Sequence, residues 1–100
     1  MYIIYGYIEL YHPNSSSLKE KRMTVQSITA RMRKRFNVSI REVGHQELWQ
    51  RSAIGFSAVS GSYSDLEFII EAVKDTLNTH HDDFAVTTFD SRIIDWDSSK

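Results

Sequence analysis

The sequence contains no cysteine, which excludes disulfides, thiolate metal sites and thiol nucleophiles. It has a single proline, Pro13, so only one point in the chain carries that strong a break. Glycine is scarce, at four residues, and neither a Walker loop nor a GxGxxG turn is present. No apolar run approaches the ~18 residues that a membrane span needs. Met1 leads directly into Tyr2-Ile3-Ile4-Tyr5, without the basic segment that opens a signal peptide. What is present is ordinary for a soluble globular chain: 41% hydrophobic and 25% charged residues over 100 positions. These features predict one cytoplasmic domain over residues 1–95, with 96–100 as a tail, and no cofactor or metal.

The net charge of −1 hides two opposed halves. Residues 1–51 carry nine Lys/Arg against four Asp/Glu, a net +5; residues 52–100 carry three against nine, a net −6. Seven of the nine basic residues fall between Lys19 and Arg35. Such asymmetry fits an anionic partner for the basic half, or a basic and an acidic helix that balance each other within the fold.

Periodicity supplies the elements. Residues 2–11 alternate with period 2 and are rich in β-branched and aromatic side chains, which predicts a strand. Ile4, Ile8 and Leu10 are assigned inward, leaving Ile3, Tyr5, Tyr7 and Tyr11 on the opposite face. His12 to Ser16 is a loop. Ser17 and Glu20 have the spacing of a capping box, and Leu18, Val25, Ile28, Met32 and Phe36 follow as a helical stripe to about Asn37. Residues 38–45 and 52–60 read as two strands joined by a polar stretch containing Trp49. Ser64 and Glu67 repeat the capping-box spacing, ahead of a helix bearing Leu66, Ile69, Ile70, Val73 and Leu77. Phe68 points away from that stripe. Residues 84–94 form the last strand.

The order βαββαβ predicts an α+β ferredoxin-like sandwich: a four-stranded antiparallel sheet with both helices on one face. Three stretches in this order, SLKEKR at 17–22, RMRKRFNVSI at 31–40 and EVGHQELWQRSAIG at 42–55, with Pro13 before them, resemble the YlxP-like family of small bacterial proteins, catalogued as a domain of unknown function. The resemblance covers essentially the whole chain, though residues after about 62 match only in character. It implies the same ferredoxin-like fold. It also implies the company of bacterial translation and transcription gene clusters, hence RNA or ribosome work. It carries over no catalytic residue.

Three regions are candidate sites. Lys19, Arg22, Arg31, Arg33, Lys34 and Arg35 on the first helix are the residue types that hold a phosphate backbone; the alternative is a solvated face. Lys21 projects toward the apolar side, where a buried stem with a snorkelling ammonium is expected. His45, Gln46, Trp49, Gln50 and Arg51 form a polar connection that could clamp an anion. The local alternative packs Trp49 at the core edge and pairs His45 and Arg51 with Glu42 or Glu47. Ile3, Tyr5, Tyr7 and Tyr11 form a face for a second copy or another partner. Base stacking there, as in RNA-recognition motifs, finds only a poor echo in Gly55-Phe56-Ser57-Ala58-Val59.

His80-His81-Asp82-Asp83 reads as a solvated helix end rather than a metal site. His12 has no evident partner. No nucleophile elbow or catalytic constellation is recognised. The leading expectation is a non-enzymatic RNA- or ribosome-associated accessory domain. The alternative is a protein-interaction module, most simply a homodimer through the open sheet face or an edge strand.

Overall fold

Alternation builds the centre of the sheet. In the computed structural model, which describes residues 1–79 and 82–97, Tyr2–Tyr11 forms β1. Ile4, Ile8 and Leu10 are buried on one side of it, while Tyr5, Tyr7 and Tyr11 stand exposed on the other. The chain continues through α1 (Leu18–Arg35), β2 (Ser39–Gly44), β3 (Arg51–Ser60), α2 (Tyr63–Thr79) and β4 (Ala85–Asp95). Neighbouring strands run antiparallel in the order β2-β3-β1-β4. This is the ferredoxin-like sandwich that the element order implies.

The core lies between the sheet and its two helices. Ile4, Ile8, Ile54 and Phe56 from the sheet meet Ile28 and Met32 of α1 and Leu66, Val73 and Leu77 of α2. Each such side chain contributes roughly 1.5–3 kcal/mol by leaving water. Phe56 lies over Gly6, its register partner on β1, and a β-carbon at Gly6 would overlap the Phe56 ring. Because Phe56 faces the helices, the echo of an RNA-stacking strand disappears.

Local chemistry sets the boundaries. Ser17 Oγ accepts from Glu20 N–H at 3.2 Å and caps α1. The Glu20 carboxylate accepts instead from the Ser16 N–H and hydroxyl, at 2.9 and 3.0 Å, so the reciprocal half of the box is shifted by one residue. The amide of Phe36 donates to Met32 C=O at 2.9 Å and closes the helix. The second expected box is not used: α2 starts at Tyr63, and Ser64 Oγ lies 2.8 Å from Ser62 Oγ. β2 stops at Gly44 because His45 takes a left-handed φ of 56° and turns the chain. Phe68 is exposed, as its position on α2 predicts, and meets Phe36 edge-on. Of the 80–83 stretch, His80 and His81 lie outside the described residues.

Ile8 is fully buried at the sheet centre. Ile8→Ala is expected to lower unfolding free energy by about 2–5 kcal/mol, read from the urea midpoint, with the far-ultraviolet spectrum retained.

Candidate anion-binding groove

Lys21 organises this end of the molecule. Its side chain is 0% exposed, so the ammonium does not snorkel as its sequence position suggests. The β2–β3 connection lies over the first turns of α1 and turns its carbonyls inward. Lys21 Nζ donates to His45 C=O at 2.8 Å, Arg51 C=O at 3.1 Å and Gln46 C=O at 3.4 Å. It also pairs with Glu42 Oε2 at 3.0 Å. Hydrogen bonds to a charged donor contribute roughly 1.5–3 kcal/mol each. Without them a buried ammonium would be untenable.

His12 lies beside this cluster and does have a partner. Its Nε2 is 2.8 Å from Ser52 Oγ, with both residues buried. Its backbone N–H donates to Gln50 C=O at 2.7 Å, and its ring packs on Phe84. Burial, reinforced by the Lys21 charge, pushes the imidazole pKa below its ordinary 6.5 and favours the neutral form.

On the outer side of α1, a groove of about 260 Å³ runs against β2, lined by Arg22, Val25, Gln26, Thr29, Arg33, Arg41 and Glu42. Arg33 is anchored to the groove wall: Nη1 donates to Ile40 C=O at 2.9 Å and Nη2 to Thr29 Oγ1 at 3.5 Å. Arg22 and Arg41 are exposed, and neither makes an ion pair among the described residues. The one lining carboxylate, Glu42, is held by Lys21. Three guanidinium groups therefore share a cleft whose only acid is already neutralised.

The expected basic residues divide accordingly. Arg22 and Arg33 line the groove, while Lys19, Arg31, Lys34 and Arg35 are exposed elsewhere on α1. The Arg35 guanidinium lies 5.2 Å from the centre of the Phe36 ring. Arg41 joins from β2. Its place on an alternating strand was readable, but its meeting with a helix 19 and 8 residues earlier in sequence, at Arg22 and Arg33, was not.

The side chains of the polar connection are held mainly by β1 and the loop that follows it. Gln50 Nε2 donates to the carbonyls of Pro13 and Ser15, at 3.3 and 3.5 Å. Gln46 is exposed, and Trp49 is 55% exposed rather than packed at the core edge. His45 and Arg51 turn not to Glu42 or Glu47 but to Glu9, on the open face of β1. His45 Nε2 lies 3.1 Å and Arg51 Nη2 3.9 Å from Glu9 Oε1. Tyr7 Oη donates to the same oxygen at 2.9 Å, and Thr88 Oγ1 donates to Oε2 at 3.3 Å. The Tyr7 and His45 hydrogen bonds hold the Glu9 carboxyl below its ordinary value, and the same bond raises the Tyr7 phenol. Tyr5, Tyr7 and Tyr11 are exposed around this hub, with Ile3 half-buried.

A cavity of about 710 Å³ lies between α2 and β4 against Leu77, Phe84, Val86 and Phe89. No helix among the described residues is long and apolar enough to cross a membrane.

The architecture defines a ferredoxin-like protein, and solved structures of that shape agree. A de novo designed protein, Foldit4, superposes with a TM-score of 0.58 at 7% identity, covering 97% of this chain and 100% of its own. A dimeric ferredoxin-like protein from an uncultured marine organism does so with 0.55 at 11% identity, covering 97% and 99%. At these identities the likeness is one of fold. Residues 3–91 match the family described as "Protein of unknown function (DUF503)", and the chain belongs to it. It is also 43% identical over 60 residues to "Uncharacterized protein YlxP" of Bacillus subtilis (strain 168), a match spanning 60% of this chain and 65% of that protein.

Two outcomes test the buried cluster. Lys21→Met is expected to cost about 3–5 kcal/mol in chemical denaturation, because it strips the cation from a largely buried carboxylate and from three backbone carbonyls. For His12, the unfolded chain binds a proton below the ordinary 6.5 while the folded chain resists it, so the stability it contributes is full above that value and is lost as pH falls toward the lower folded pKa. His12→Gln should flatten the pH dependence of the thermal midpoint in that window.

Proposed function

We propose that this protein binds the phosphate backbone of RNA through the α1–β2 groove, as a non-enzymatic accessory to RNA or ribosomal particles. One observation carries the reading: Arg22, Arg33 and Arg41 share a cleft in which Lys21 occupies the only lining carboxylate. Guanidinium forks match phosphate oxygens in pairs and keep their charge at every physiological pH. Lys19, Lys34 and Arg35 extend positive charge along the helix, and none of them makes an ion pair among the described residues. RNA is the anion favoured by the translation-linked character that the family resemblance implies.

A second copy of the chain is the other partner this fold accommodates. The tyrosine-bearing face is open, and one structure of the same shape is described as dimeric.

The groove is tested by fluorescence anisotropy with a non-specific RNA and with a ribosomal subunit, each at two salt concentrations. Binding should weaken steeply with salt. The combined Arg22→Gln, Arg33→Gln and Arg41→Gln variant should bind more weakly and reduce the salt slope by roughly 2–3. An unchanged slope rejects the groove as the contact, and no binding by the parent protein at low salt rejects the RNA reading.

A further inference from the structure

We infer that a second copy of this chain pairs along β4, antiparallel about a two-fold axis at Ser91, giving one eight-stranded sheet. The inference rests on the second-copy reading and specifies its edge and register; it is independent of the RNA groove.

The two edges of the sheet differ. β2 is a six-residue strand whose pairing is disturbed between Glu42 and Gly44. β4 is eleven residues long, pairs with β1 alone among the described strands, and contains neither proline nor lysine. Its one irregularity lies near its start, where Glu9 pairs with Thr88 and Leu10 with Val86. From Thr88 to Asp95 the register is unbroken. Long regular edges invite pairing with another strand, and proteins usually blunt them with lysine, proline or bulges.

Charge selects the occupant and the register. Asp90 and Arg92 are exposed on the open face, opposite Tyr7 and Tyr5 of β1. Neither makes an ion pair or side-chain hydrogen bond among the described residues. Residues directly opposite in an antiparallel pair share a face, so a symmetric β4 pair slides in steps that keep 90 and 92 on one side. An axis at residue 90 sets two aspartates opposite each other, and an axis at residue 92 sets two arginines opposite. The axis at Ser91 between them sets each Asp90 against the Arg92 of the second copy, twice. On the helix side the same register places Phe89 against Ile93, both half-buried within one chain. Opposite-charge and apolar cross-strand pairs stabilise by roughly 0.2–1 kcal/mol each, and like charges directly opposite oppose pairing.

The test is sedimentation equilibrium from low to high micromolar concentration. The parent chain should self-associate. Asp90→Arg and Arg92→Asp, made separately, should each weaken self-association by about tenfold or more, since each converts two attractive pairs to repulsive ones. The positions are exposed, and circular dichroism checks that each variant is folded. Mixing the two variants should restore association, because each charge then meets its opposite across the axis. A strictly monomeric parent overturns both this inference and the second-copy reading. A dimer insensitive to both reversals, or a mixture that stays monomeric, overturns the β4 pairing alone and places any self-contact elsewhere.

Discussion

A buried ammonium governs this molecule. Removing Lys21 from water costs several kcal/mol, and that cost is met only if its carboxylate and carbonyl partners converge on one point. Glu42 on β2 and the carbonyls of His45, Gln46 and Arg51 supply that convergence. The first turns of α1, the end of β2 and the connection to β3 are thereby fastened together. The same ion pair withdraws Glu42 from the neighbouring arginines. One interaction inside the fold thus sets the electrostatic character of a groove outside it.

The opposite face of the sheet has its own hub. Glu9 collects hydrogen bonds from Tyr7, His45 and Thr88 and lies near Arg51. The β2–β3 connection is therefore pinned from two sides, by a cation reaching its backbone from the helix layer and by an anion reaching its side chains from the open face. The left-handed backbone at His45 is part of this arrangement. Residues that looked free to meet a ligand, His45 and Arg51, are already committed to Glu9, whereas the exposed Trp49 is not committed to the core.

The elements could be read from sequence because their causes are local. Period-2 alternation in 2–11 and the 3.6-residue stripes of the helices set burial directly, and Ser17 marks the start of α1. The second cap misled because Ser62 and Ser64 both precede the apolar stripe, and spacing alone does not choose between neighbouring serines. The candidate groove was half legible. Arg22 and Arg33 share a flank by helical geometry, but Arg41 reaches them only through sheet topology. The partners of Lys21 and His12, and those of Glu9 other than Tyr7, lie 21 to 79 residues away in sequence, where no local pattern can register them. For Lys21 the helical period gave the inward direction; the backbone carbonyls awaiting it leave no trace in side-chain identity.

Gly6 and Phe56 form a different kind of constraint. The phenyl ring occupies the space that a side chain at position 6 would need, at a point where β1 and β3 are in register. The two positions share one volume, so neither can vary alone. Drift toward a larger residue at 6 requires a smaller one at 56, and the reverse order passes through an emptied core. Across related sequences this pair should change together or not at all, leaving a covariation signal at the middle of the sheet that owes nothing to ligand or partner.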